Sequence, residues 1–405
     1  MASENMEISL PLELHPFVIR VLDDPDLQQR LASIVEAKAF VEESLKVAAE
    51  QEIPLNAEIL ASTLRPDPLG LGRFTSAPLQ MDNWPPIGWL PTRTVQSQDG
   101  TPAFDWVWFG PHRHSRPFFE EDVRRAEAMP FNWLFRVRTG LQALISGYGS
   151  EPEVPLKGLI FHMSRCGSTL LSQMYASVPD SLVSSEPEPL GGVIQWIRLA
   201  KVDQESAITV MRAIVAALGR DSGTGAKYHL IKAEAWNAHS IALFRNAFPS
   251  VNWVFLYRNS IEVLVSLLRQ PAIHTVENLM PREMVELNDE EPRSREEFAA
   301  LVVAKIGKSI ITHQHLGGGL VIAYPDIIDA ATTSIPAHFG LTLDADAIQL
   351  MAEASKRDSK EPYQGFNSDI SSKQAATTMA IEAAAAQWMR PVENELDQLS
   401  QVRTK

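Results

Sequence analysis

The chain has 405 residues, 45% hydrophobic and 21% charged, the composition of a globular protein with room for roughly two or three domains. Thirty-six Lys and Arg against 50 Asp and Glu leave a net charge of −14, which excludes a general attraction to nucleic acid or to an anionic membrane, so a polyanionic ligand needs a local basic pocket. The single cysteine, Cys166, excludes an intramolecular disulfide, and no Cys/His spacing suits a structural zinc.

The first residues, MASENMEISLPLELHPF, carry no basic segment followed by an apolar core, and no run approaches 18 apolar residues, so a reduced, cytoplasmic location is expected. From His15 to about Leu64 apolar residues recur at helical spacing, with Asp23-Asp24-Pro25-Asp26 as a helix start; residues 1–64 are expected to form a helical module. Residues 65–150 form an accessory region whose first part is rich in Trp, Pro and Gly (NWPPIGWLP, DWVWFGPHRHSRPFF), which suits turns and short strands around aromatic clusters. A helical stretch from Glu120 to about Ile145 then leads to a boundary in Gly147-Tyr148-Gly149-Ser150-Glu151-Pro152.

Residues 151–405 alternate strand and helix. Strands are expected at 158–162, 228–233, 251–257 and 319–324, with helices at 169–178, 189–218, 238–248, 260–270 and 296–314. That rhythm predicts βαβ units, hence an α/β fold with a parallel sheet whose ligands sit at the carboxyl ends of the strands.

The stretch LIFHMSRCGSTLL, Leu159 to Leu171, places a turn at one such end. Gly167 permits close backbone approach, Ser168 and Thr169 offer hydroxyls and amides at a helix start, and Arg165 adds a fixed cation, a set suited to an anion. The loop lacks the GxxxxGK[ST] of nucleoside-triphosphatases, having no lysine. In FPSVNWVFLYRNSIEVLVSLL a strand ends at Arg258 and the next helix carries Ser266 eight positions on (266 − 258 = 8), where the two could grip a second phosphate.

Here the sequence resembles the sulfotransferases that use 3′-phosphoadenosine-5′-phosphosulfate (PAPS). FHMSRCGSTLLSQM looks like their 5′-phosphosulfate loop and FPSVNWVFLYRNSIEVLVS like their 3′-phosphate strand and helix. LVIAYPDII, with Tyr324 and Asp326, and HFGLTL resemble later segments, so the likeness spans about 155 to 365. It implies a P-loop-type parallel sheet flanked by helices. It also implies PAPS held by Arg165, Cys166, Gly167, Ser168, Thr169, Arg258, Ser266 and Tyr324, without a metal. Lys356, with Arg357 and Lys360, matches the basic loop over the 3′-phosphate. Arg165 is expected at the bridging oxygen and Lys232 at the sulfuryl group.

Two carboxylates compete as base. Glu186 lies 21 residues after Arg165 (186 − 165 = 21), the spacing of the tyrosylprotein branch, with Glu188 close by; Glu234, in Lys232-Ala233-Glu234, replaces the histidine of the cytosolic branch. Side chains alternate along a strand, so Lys232 is expected to hold Glu234 paired and weakly basic, which favours Glu186. Either could instead be structural: an acidic solvated loop, or a Lys–Glu ion pair.

The remaining conspicuous residues read as structural. His112 and His114 suit a surface loop, His313 and His315 fall on opposite helix faces, and Trp84, Trp89, Trp106 and Trp108 suit a core. Cys166 reads as a substitution for the family's serine and not as a nucleophile. The expected partner is a small-molecule or peptide acceptor, with no nucleic acid or membrane; oligomeric state stays open. Alternative readings are a P-loop small-molecule kinase, which wants a loop lysine and magnesium, and a non-catalytic peptide-binding protein.

Overall fold

The computed structural model describes residues 9–65, 76–357 and 376–401, which form two compact units. The first unit takes residues 1–113, 120–153 and 213–224. Its helices are α1 (His15–Leu22), α2 (Pro25–Ala32), α3 (Ala37–Glu50) and α4 (Ala57–Thr63), and the last three begin where a polar side chain satisfies the first free amides: Asp24 accepts from Asp26 and Leu27, Glu36 from Lys38 and Ala39, and Asn56 from Glu58 and Ile59. Strands β1 (Leu79–Met81), β2 (Trp89–Gln96), β3 (Pro102–Trp108) and β4 (Val137–Gly140) make a sheet in the order β1-β4-β3-β2. Trp84, Trp89 and Trp106 are buried here, as a core reading requires, and the Trp89 indole donates to Gln28 at 2.8 Å. The continuous helix expected over 120–145 is instead α5 (Phe119–Glu127), α6 (Pro130–Leu134), β4 and α7 (Leu141–Ser146). Pro130 starts a new helix, and Val137–Gly140 pairs with two strands, an outcome of tertiary pairing that helical spacing does not register.

The second unit takes residues 114–119, 154–212 and 225–405. Strands β5 (Leu156–His162), β6 (Ser181–Ser185), β7 (Tyr228–Lys232), β8 (Asn252–Tyr257) and β9 (Gly319–Ala323) form a sheet ordered β6-β7-β5-β8-β9, with every pairing parallel. The fold is α/β, a parallel sheet flanked by helices. The apolar runs expected as strands are strands, fully buried along Ile160, Phe161, Leu230, Ile231, Val254 and Phe255.

Among the helices of this unit are α8 (Ser168–Ala176), α9 (Glu188–Leu199), α10 (Gln204–Leu218, whose last turns enter the first unit), α11 (Ile241–Ala247), α12 (Ser260–Arg269) and α13 (Arg295–Thr312). The single helix expected over 189–218 is two, broken at 200–203, where Lys201 has φ 53 and Asp203 caps the second by accepting from Ser206. Beyond β9 come α14 (Ile327–Thr332), α15 (Ser334–Phe339) and α16 (Ala345–Ala354), and the C-terminal segment Arg390–Gln401 is helical. No helix of the described residues is long and apolar enough to cross a membrane.

Candidate active site

Because the sheet is parallel, all five carboxyl ends share one edge. The chain leaves β5 toward one side of the sheet, reaching β6 and β7, and later runs to the other side as β8 and β9, so the edge above β5 is a topological switch point, where open α/β sheets bind ligands. That edge gathers His162, Glu186, Lys232, Glu234, Arg258 and Tyr324, each at or just past a strand end.

The loop from β5 to α8 bends back through Ser164 (φ 76), Arg165 (φ 52) and Gly167 (φ 89), and no side chain caps α8. Left-handed backbone costs a residue with a Cβ of order 1 kcal/mol, and such strain gathers at ligand sites. Gly167 is also sterically required: a Cβ there would lie 2.8 Å from the Tyr324 ring. Ser168 and Thr169 are buried in the first turn of α8. Cys166 is buried and donates to Leu256 O at 3.1 Å; burial pushes its thiol up to about 12, so it is neutral and not a nucleophile.

Lys232, wholly buried at the end of β7, holds the centre. Its Nζ donates to Thr169 Oγ1 at 3.3 Å, lies 2.8 Å from Glu186 Oε1, and sits 4.8 Å from the centroid of the Phe118 ring. The expected pairing of Lys232 with Glu234 is not what the structure shows: Lys232 pairs with Glu186. Strand alternation ends with β7 at Lys232, and Glu234 lies past it at the start of a 3-10 helix, Ala235–Ser240. Glu234 instead accepts from Asn237 Nδ2 at 3.0 Å and packs against Gly191, where a Cβ would come 2.3 Å from Oε2.

The two carboxylates are therefore driven apart. Burial works to raise Glu186, but the Lys232 charge and His162 outweigh it and hold Glu186 well below the usual carboxylate range. Burial, helped by the Glu186 charge, pushes Glu234 up to about 8. Glu186 also has left-handed backbone (φ 55), with its N–H donating to Lys232 O at 2.7 Å.

His162 is the residue the sequence reading missed. Its Nδ1 accepts from Ser164 N at 3.1 Å, so the neutral ring carries its proton on Nε2, which faces Glu186 Oε1 at 3.4 Å. Burial lowers its pKa, which favours that neutral form. It stands inside the quoted loop motif, but a histidine ending a buried apolar strand gives no signal of its own.

Arg165 turns toward α12, donating to Ser266 Oγ at 2.8 Å and Gln270 Oε1 at 2.8 Å. Arg258, nearly buried, pairs with Glu262 at 2.5 Å and stacks 3.9 Å above the Tyr324 ring. The structure thus brings Arg165, Ser266, Arg258 and Tyr324 to one side of the loop, with Lys232, Glu186 and Glu234 on the other. Lys356 and Arg357 are exposed just after α16; Lys360 lies outside the described residues.

Two expectations about histidines need correction. His114 is buried, not on a surface loop: its Nε2 lies 2.8 Å from Ser184 Oγ, which lies 2.8 Å from His229 Nε2. The rings of His313 and His315 stack with centroids 6.1 Å apart, because α13 stops at Thr312 and helical phase no longer separates them.

No protein-family profile matches the sequence, and no curated protein matches it. Among solved structures, the chain resembles several sulfotransferases. The sulfotransferase domain of the curacin biosynthetic pathway has TM-score 0.35 and 14% identity over 58% of this chain and 98% of that one. A sulfotransferase from Mycobacterium avium has TM-score 0.37 and 12% identity over 60% and 78%. A mouse sulfotransferase complexed with PAP has TM-score 0.35 and 12% identity over 64% and 92%. Overlap at this level leaves the reading of the site to its own geometry, and the likeness to the tyrosylprotein branch rests on the Arg165–Glu186 spacing alone.

Proposed function

We propose that the protein is a sulfotransferase that moves the sulfuryl group of PAPS to an acceptor hydroxyl or amine. The observation that carries this reading is the buried Lys232 ammonium, set between Thr169 at an uncapped helix start and the Glu186 carboxylate. PAPS supplies a sulfuryl group whose bond to the 5′-phosphate oxygen breaks as the acceptor atom bonds to sulfur. The residues present suit it: the left-handed loop offers amides to the 5′-side, and Arg165, Ser266 and Arg258 supply cations and a hydroxyl for the 3′-phosphate.

Within this reading Arg165 belongs with the 3′-phosphate and Lys232 with the transferring group. Lys232 has two calls on its charge, Glu186 and the incoming anion. As Lys232 turns to the sulfuryl oxygens, Glu186 loses the interaction that keeps it acidic and becomes a better base. Lys232 and His162 both make their nearest approach to Oε1, so Oε2 is the oxygen assigned to the acceptor proton. Glu234, largely protonated at neutral pH, is the weaker candidate.

The test is PAP release from PAPS with a panel of acceptors. Glu186→Gln should lower turnover roughly 10²–10⁴-fold with PAP affinity unchanged. Normal turnover in Glu186→Gln together with loss in a folded Glu234→Gln would transfer the role to Glu234.

A further inference from the structure

The segment His114–Phe119 belongs to the second unit although the sequence on both sides of it belongs to the first. It lies across α8 and β6 beside the site and is fastened at three points. Gln173 Nε2 donates to Ser115 O at 3.0 Å, Ser185 Oγ donates to Pro117 O at 2.7 Å, and His114 Nε2 meets Ser184 Oγ at 2.8 Å. His114 also packs edge-on against Phe119, with centroids 5.2 Å apart. Between these fastenings the partly exposed Phe118 presents its ring to the Lys232 ammonium at 4.8 Å.

The geometry points to Phe118 as a positioning residue for Lys232, held in place by the 114–119 strap, so that the ammonium is aimed at the sulfuryl group of the donor. An ammonium is attracted to the face of an aromatic ring, and the attraction strengthens when water is excluded, as it is around the wholly buried Lys232. Among the described residues Thr169 Oγ1 and Glu186 also meet the ammonium, and the ring supplies a neutral surface that does not compete for its protons. When the ammonium leaves Glu186, the ring limits where it can go. This assignment rests on the sulfotransferase reading, because it requires Lys232 to meet the transferring group.

PAPS and PAP differ by that group alone, so comparing their affinities isolates the effect without an acceptor. Calorimetric titration of the full chain with each ligand should show Phe118→Leu weakening PAPS roughly tenfold with PAP little changed, and Phe118→Tyr restoring PAPS affinity by restoring the ring face. Equal weakening for both ligands would make Phe118 a packing residue and overturn the assignment, as would Phe118→Leu binding both like the unaltered protein. Should the unaltered protein bind neither, the sulfotransferase reading itself falls, an outcome distinct from the other two.

Discussion

Glu186 and Glu234 follow adjacent strands, yet their surroundings drive their titrations in opposite directions, and that contrast yields a stability prediction. The folded-state pKa of Glu234, about 8, lies above its ordinary value of 4.5. Its contribution to stability is therefore fully present below pH 4.5 and is lost as pH rises through 8. Glutamine mimics the protonated acid. Glu234→Gln should melt above the unaltered protein at pH 9, with the gap closing toward pH 4.5; a pH-independent gap, or one of opposite sign, would contradict the burial argument. Gly167 gives a second test at this scale. With φ 89 and the Tyr324 ring 2.8 Å from any added Cβ, Gly167→Ala must displace the loop or the ring, and PAP affinity should fall about tenfold, from roughly 1–3 kcal/mol of strain. Unchanged affinity would show that the loop does not hold the nucleotide.

At the scale of elements, the four strands legible in the sequence are those whose apolar runs are buried on both faces, and β5 and β8 also carry the two loop motifs. Strand β6, Ser181–Ser185, was illegible because three of its five residues are serine; the pairing of Ser184 with His114 and His229 that lets it be buried is set by distant chain. The same limit hid β4 inside a helical pattern. For the site, Arg165 is named from its loop, Arg258 and Ser266 from their spacing, and Lys232 and Glu186 from the family resemblance, but their partners are not. Which cation meets which carboxylate depends on where β7 ends and which way the Arg165 side chain turns.

The turn after β8 shows such a dependence, since the C-terminal helix Arg390–Gln401 fastens it. Glu393 accepts from Ser260 N at 3.0 Å and from Ser260 Oγ, and Asp397 accepts from Tyr257 OH at 2.6 Å. Glu393→Ala leaves that helix start short of an acceptor and should cost about 1–2 kcal/mol in urea unfolding. An unchanged midpoint would show the contact to be dispensable.

For the whole molecule, the sequence already indicates an α/β sheet with its ligands at one edge, and the structure adds what sequence distance conceals. Residues 213–224 return to the first unit, where buried Arg220 pairs with Glu151 and lies 5.4 Å from the centroid of the Trp84 ring. Residues 114–119 join the second unit and bring Phe118 to Lys232. Neither insertion follows from local periodicity, because each is decided by partners far away in sequence, 69 residues for Arg220–Glu151, 70 for His114–Ser184 and 58 for Ser115–Gln173.

On the proposed reading, the carboxyl edge binds an adenosine nucleotide through its 3′-phosphate as well as its 5′-side. Calorimetric titration with PAP and with adenosine 5′-phosphate, on the unaltered protein and on Arg258→Ala, tests it most directly. A charge-assisted contact to the 3′-phosphate contributes about 1.5–3 kcal/mol, so PAP should bind roughly 10–100-fold more tightly than adenosine 5′-phosphate, and Arg258→Ala should erase most of that difference. Equal affinities for the two nucleotides in the unaltered protein, or binding of ATP with magnesium in preference to PAP, would rule out a 3′-phosphate site at this edge.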